Sequence, residues 1–379
     1  MRPLTGLRAL ALATAGLVLA GCATTAADDV DSAWRPGYFW QSVRGHLGML
    51  AAARPVDAVL ADPALAPDLR RRLELGREIR DYASRALALP DNASYRRYAD
   101  LGRPAAVWNV VAAPELSLTL KTWCFPVLGC VGYRGYFDKT EAEQLAGALR
   151  ERGWEVNVYG VPAYSTLGKL PGDWFADPLL NTFLRHGEVE LARLVFHELA
   201  HQVAYAADDT PFNESYATAV ERLGSRQWLQ QRGRADLIAE TERADRRRAE
   251  FRAMTMAARE RLDALYRSTA SDDDKRRRKA ELIAALRDEY ARWRDGQWGG
   301  DRAYDAWFEN VSNAKLGVLA AYNQQVPAFE ALFEREGRDW PRFHAAVKDL
   351  AARPKAERDA VLAALTARAG AALSPSATR

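Results

Sequence analysis

The stretch "LARLVFHELAHQVAYAADDTPFNESYATAVERLG", residues 191–224, holds the residue types and spacings best able to do chemistry. On a helix, positions four apart share one face. His197 and His201 can therefore aim two imidazoles at one point, as a tetrahedral zinc ion requires. Glu198 follows the first histidine, where its carboxylate can reach the remaining, water-filled position and act as general base. Leu191, Leu194, Val195, Phe196, Leu199, Ala200 and Val203 make this helix apolar nearly all round, so it belongs in a core. Two unliganded imidazoles there would need other partners for their nitrogens. A packed structural histidine pair is thus the alternative to a metal site. After a turn at Asp208-Asp209, Thr210-Pro211 reads as an N-cap followed by Pro at the first helical position. Glu214 then falls in the first turn of the next helix and offers a third, carboxylate ligand.

The elements that must position these groups are mostly helical. Leu75, Ile79, Tyr82, Ala86 and Leu89 recur at helical intervals within 68–89. A short β region follows, with strands expected over 106–113, 115–123, 131–137 and 154–161. In the second, Leu116, Leu118 and Leu120 alternate with polar residues, the pattern of a strand with one buried face. A helix is expected over 139–153, and residues 173–187 lead into the motif helix. Beyond Gly224 the chain reads as helical throughout. Phe251, Thr255, Ala258, Leu262 and Leu265 form one stripe, and Leu282, Ile283, Leu286, Tyr290 and Trp293 another. These predict a charged antiparallel helical pair over about 232–296, broken by "GQWGG" at 296–300. We expect an α+β fold, predominantly α-helical, with one domain over 34–366 and a flexible tail over 367–379.

Bulk properties narrow the partners. A 379-residue chain that is 48% hydrophobic and 27% charged is globular rather than disordered. Its net charge of +3 provides no field that favours nucleic acid. The basic runs at 246–248 and 275–279 lie among acids and read as solvated helix faces. At the N-terminus, Arg2 and Arg8 precede an apolar core that is too short to span a membrane comfortably, and small residues follow it. "LAGC" at 19–22 resembles the lipobox of bacterial lipoproteins. That resemblance implies a signal peptide over 1–21, a lipid on Cys22, a polar tether over 22–33 and a place on the periplasmic face of the outer membrane. Three cysteines then leave Cys124 and Cys130, which in an oxidising compartment read as a disulfide closing "CFPVLGC". Free thiols or a metal pair are the alternatives.

"NESYATAVE" (213–221) resembles the Asn-Glu-Gly-Phe-Ala segment of the gluzincin metallopeptidases. More narrowly, "CFPVLGCVGYRGYF", "VPAYSTLGKLPGDWFADPLLNTFL" and "FHELAHQ" with "DTPFNES" resemble a bacterial family of zinc aminopeptidase lipoproteins, over about 34–333. The resemblance implies a zincin-like core with a small β-sheet and helical additions. It also implies Zn2+ held by His197, His201 and Glu214, with Glu221 and Asn213 supporting the ligands from behind. One departure stands out: only twelve residues separate His201 from Glu214, fewer than gluzincin aminopeptidases usually have. The connection must be abbreviated, so the wider substrate site need not match.

The implied reaction is peptide hydrolysis with Glu198 as the proton carrier. Gluzincins take a Tyr or His from a later helix to stabilise the oxyanion; between Tyr304 and Tyr322 we choose Tyr322. An extended peptide is expected to add to a sheet edge at 158–168. Neither Glu188 nor Glu190 is compelling as an anchor for a free α-amine, since helix starts favour acids anyway. The Gly-x-Met-Glu-Asn segment of the alanyl aminopeptidases is absent. Endopeptidase is accordingly the rival activity, and a non-catalytic envelope lipoprotein with a structural zinc is the rival class. His46, His186 and His344 have no ligand spacing and read as structural.

Overall fold

The structure is a computed structural model that describes residues 36–125, 129–166, 172–319 and 325–373. Cys22, the signal segment and Tyr322 lie outside the described residues. In chain order the first elements are α1 (Pro36–Ala52), β1 (Arg54–Pro55), α2 (Val56–Leu60), α3 (Pro67–Leu87) and β2 (Arg97–Ala99). Then come β3 (Val107–Pro114), β4 (Trp123–Phe125), β5 (Gly129–Val131), β6 (Arg134–Tyr136), α4 (Lys139–Glu151), β7 (Trp154–Val161) and β8 (Leu179–Leu180). The rest is helical: α5 (Asn181–Leu184), α6 (Glu188–Val203), α7 (Thr210–Gln231), α8 (Ala235–Arg267), α9 (Asp272–Asp295) and α10 (Asp305–Glu309). Four more follow, α11 (Asn313–Leu319), α12 (Val326–Arg335), α13 (Trp340–Ala351) and α14 (Lys355–Leu373). The fold is therefore α+β and mostly helical. Among the described residues no helix is long and apolar enough to cross a membrane.

Apolar stripes decide how these elements pack. Leu73, Ile79, Tyr82, Ala83 and Leu87 of α3 join Leu191, Val195, Phe196 and Leu199 of α6 in the main core. Phe212, Tyr216 and Val220 of α7, Phe329 of α12 and Phe343 of α13 complete it. A second cluster forms where α4 lies on the antiparallel sheet β6-β3-β7, through Leu145, Leu149, Trp108 and Val110. Asp138 caps α4 by accepting from Thr140 N at 2.6 Å. The charged pair α8–α9 has its own core of Phe251, Met254, Leu286 and Tyr290. The predicted break after α9 contains Gly299 and Gly300, both at positive φ, where glycine carries no Cβ penalty.

Several expectations change. Residues 115–122 do not form a strand, although Leu118 is buried as the alternation predicts. They pack mainly on helix α11, with one backbone bond to β3, from Lys121 N to Ala112 O at 2.8 Å. Leu120 packs so close to Gly317 that a Cβ there would lie 2.6 Å from Leu120 Cδ2. The carbonyls of Pro114 and Glu115 are taken by Asn313 Nδ2, at 3.0 and 2.7 Å, instead of by a ladder. The strand expected over 131–137 is split at Gly132: β5 pairs with β4, whereas β6 joins β3. A disulfide joins Cys124 to Cys130 across the β4–β5 hairpin. The last helix runs to Leu373, past the point where a loose tail is expected, because its alanine-rich sequence favours helix.

Candidate metal centre

The motif helix α6 is held from both ends and from behind. At its start, Glu188 accepts from Trp228 Nε1 at 2.9 Å and pairs with Arg232 and Arg234, so its carboxylate is already committed to structure. One turn before the first histidine, buried Arg193 makes a two-pronged pair with Asp245 of α8, at 2.9 and 2.6 Å. At its end the chain leaves extended at Ala204 and reverses through Asp208, which has φ +58°. The return is fixed by Asn213. Its Oδ1 accepts from Ala206 N and its Nδ2 donates to Ala206 O, both at 2.8 Å. Asn213 thus clasps the loop and has no bond to a ligand, in contrast to the supporting role expected of it. Asp209, not Thr210, caps α7, accepting from Phe212 N at 3.4 Å. Asp209 is buried and paired with Arg358 at 2.9 Å, so its carboxylate also ties α14 to the helix start.

With the loop clasped, α7 runs back along α6. Gly224 permits the close approach, since a Cβ there would lie 2.7 Å from Leu87 Cδ1 and 3.1 Å from Phe196. His197, His201 and Glu214 come together, and one ligand atom from each lies within 4.8 Å of the others. The two Nε2 atoms are 3.1 Å apart, and Glu214 Oε2 is 3.3 Å from His197 Nε2. Glu214 Oε1 is 3.7 Å from His201 Nε2. Glu221, two turns beyond Glu214, places Oε2 2.9 Å from His197 Nδ1.

These distances fit a metal ion. Two nitrogens each about 2.1 Å from a tetrahedral ion lie about 3.4 Å apart. The carboxylate on His197 Nδ1 fixes the tautomer that leaves Nε2 free to coordinate. His201 Nδ1 is buried with no hydrogen-bond partner among the described residues, and the ring's contacts to His197 and Glu214 both run through Nε2. A packed structural histidine would ordinarily have both nitrogens satisfied. His344 is such a case: Nδ1 accepts from Tyr216 Oη at 2.8 Å, and Nε2 donates to Leu87 O at 2.9 Å.

The electrostatics separate the two rings. Burial alone would depress His197, but its bonds to Glu214 and Glu221 outweigh this and hold it well above the ordinary imidazole value. Burial, then the neighbouring His197 charge, pushes His201 down to about 4. Burial holds the Glu198 carboxyl above its ordinary value; Glu214 and Asp177 reinforce the shift, while His197 and a hydrogen bond from Ser165 oppose it. Such a carboxyl can hold or release a proton in a dry site.

Two tyrosines that feel the charge of Glu214 escaped the sequence reading. Tyr133 is 42% exposed and Tyr205 45%. Burial of part of each ring, together with the Glu214 charge, raises both phenols. The one available signal was the position of Tyr205, four residues after His201. Tyr304 is elsewhere, stacked on Phe251 at 4.3 Å in the core of the helical pair. Asp177, Ser165 and Tyr95 were missed too, since only the folded chain brings them to Glu198.

A family model described as "Putative aminopeptidase" matches residues 37–362. No curated protein and no solved structure matches the chain.

Proposed function

The chain belongs to the putative aminopeptidase family, and from that premise we propose a zinc-dependent aminopeptidase with a gluzincin-type core, anchored to the bacterial envelope through a lipid on Cys22. The observation that carries this is the meeting of His197, His201 and Glu214 beside the partly buried carboxyl of Glu198. When bound, zinc supplies the Lewis acidity that polarises a scissile carbonyl and makes water a nucleophile at neutral pH. The chain's own residues do the remaining work. Glu221 orients the His197 ring through Nδ1. Glu198 accepts the proton of the attacking water on its carboxylate and delivers it to the leaving amine. Tyr133 and Tyr205 offer phenolic donors toward a developing oxyanion, alongside the earlier candidate Tyr322. Strand β7 is one edge of its sheet, and the chain that continues from it reaches Glu198 through Ser165. A peptide added along this edge would therefore run toward the metal ligands.

The test is to load the mature protein with zinc and give it matched free and N-acetylated peptides, reading the products by mass spectrometry. Stepwise loss from free N-termini only, absent in Glu198→Gln, supports the aminopeptidase. Internal cleavage of both peptides makes it an endopeptidase. No cleavage across a broad peptide set leaves a structural metal site, with the α8–α9 pair as a partner surface.

A further inference from the structure

We propose that Asp177, Ser165 and Tyr95 form a buried clamp that positions the Glu198 carboxylate. The catalytic part of this rests on the role given above to Glu198; the clamp itself does not. Asp177 is 1% exposed, and a carboxylate so enclosed needs donors on its oxygens. Two consecutive residues of the chain leaving β7 supply them. Ser165 Oγ donates to Oδ2 at 3.0 Å. The Thr166 backbone N–H lies 3.0 Å from Oδ1 and 3.1 Å from Oδ2, and Thr166 Oγ1 donates to Oδ1 at 3.0 Å. Asp177 thereby pins this segment against the motif helix, where Ser165 also meets Glu198 and the Tyr95 phenol.

Tyr95 completes the clamp. Its backbone N–H donates to Asp177 O at 2.6 Å, and its ring is 2% exposed. It sits at φ +62°, a left-handed conformation that aromatic residues seldom adopt and that persists only where surrounding contacts impose it. A serine has one hydroxyl proton to give. Because Thr166 supplies Asp177 with two further donors, Ser165 can turn its proton to Glu198 without stranding Asp177. A glutamate side chain has several rotamers, and this arrangement selects one. Ser165 and Asp177 are thus positioning residues, acting on a base rather than on substrate.

Two measurements on the mature full chain test this. Hydrogen exchange of segment 160–166 in the metal-free protein should speed up in Asp177→Asn and remain slow in Ser165→Ala, whose Thr166 bonds are intact. With zinc restored, Ser165→Ala should lose roughly tenfold or more in kcat, the scale of one hydrogen bond to a charged group, with KM and zinc content close to wild type. Ser165→Thr, which keeps the hydroxyl, should recover most of it. Unchanged exchange in Asp177→Asn overturns the clamp whether or not the protein turns over a peptide. Wild-type kcat in Ser165→Ala, or a Ser165→Thr as slow as the alanine variant, overturns the positioning role. A wild-type protein inert on every peptide would sink the peptidase proposal instead, and the exchange result would still decide the clamp.

Discussion

Glu221 Oε2 lies 2.9 Å from His197 Nδ1, on the far side of the imidazole from the point where His201 and Glu214 converge. A carboxylate in this position fixes the ring and raises its basicity as a ligand. Removing it should weaken zinc binding by about 10- to 100-fold. Glu221→Ala, titrated against a chelator of known affinity, should show that loss, with Glu221→Asp intermediate. A variant that binds zinc as tightly as wild type would mean that Glu221 supports the fold alone.

Metal removal should loosen the junction of α6 and α7, since ligands come from both. Free zinc at about 100 times its dissociation constant stabilises a folded protein by about 2.7 kcal/mol. We expect Tm to fall by several degrees in chelator and to return when zinc is added back. His201→Ala should show a Tm indifferent to zinc; if it responds as wild type does, the ion binds somewhere else.

Gly224 of α7 packs closely against both α3 and α6. A methyl group there would meet Leu87 Cδ1 at 2.7 Å and Phe196 at 3.1 Å. Gly224→Ala should therefore destabilise by about 1–3 kcal/mol, as overpacked cores do, despite alanine's better helix propensity. It should also weaken zinc binding by spreading the ligands. Denaturant midpoints and a chelator titration would check the two effects together, and a stabilised Gly224→Ala would show that the junction yields easily.

His344 gives the fold an acid dependence separate from the metal ligands. Burial pushes its folded value down to about 4, against an ordinary value of 6.5. Between those limits the unfolded chain binds a proton that the folded chain refuses. The contribution is thus complete above about pH 6.5 and is lost as pH falls toward 4, by roughly 3 kcal/mol in all. His344→Gln can still bond Leu87 O and Tyr216 without titrating. Its denaturant midpoint should fall less than that of wild type between pH 7 and pH 4.5; parallel falls would remove His344 as a cause.

The grouping of His197, His201 and Glu214 was legible in the sequence in part, because helical periodicity is local. Intervals of four between His197 and His201, and of seven between Glu214 and Glu221, put each pair on one face before any tertiary contact is known. Burial at Leu118 was legible on the same grounds, but the alternation that reports a buried face does not say whether a strand or a helix covers it. The cap of α7 shifted from Thr210 to Asp209 because Arg358, far along the chain, favours a carboxylate there. Asp177 and Ser165 gave no such warning. An acid before a proline and a serine in a loop are ordinary residues until folding carries both to Glu198. Asn213 was recognisable as part of a motif, yet its bonds go to the backbone of Ala206, which the motif does not mention.

The Asn213 clasp makes the metal centre a place where the protein can be rebuilt. Asn213 ties Ala206 back across the reversal, much as a base pair closes a hairpin, so the distance from the second histidine to Glu214 is measured by that pairing rather than by chain length. Ala207 and Asp208 stand outside it, exposed to solvent. Extra residues spliced between them would bulge outward while the ligands kept their separation, giving an insertion point for loops that choose among substrates.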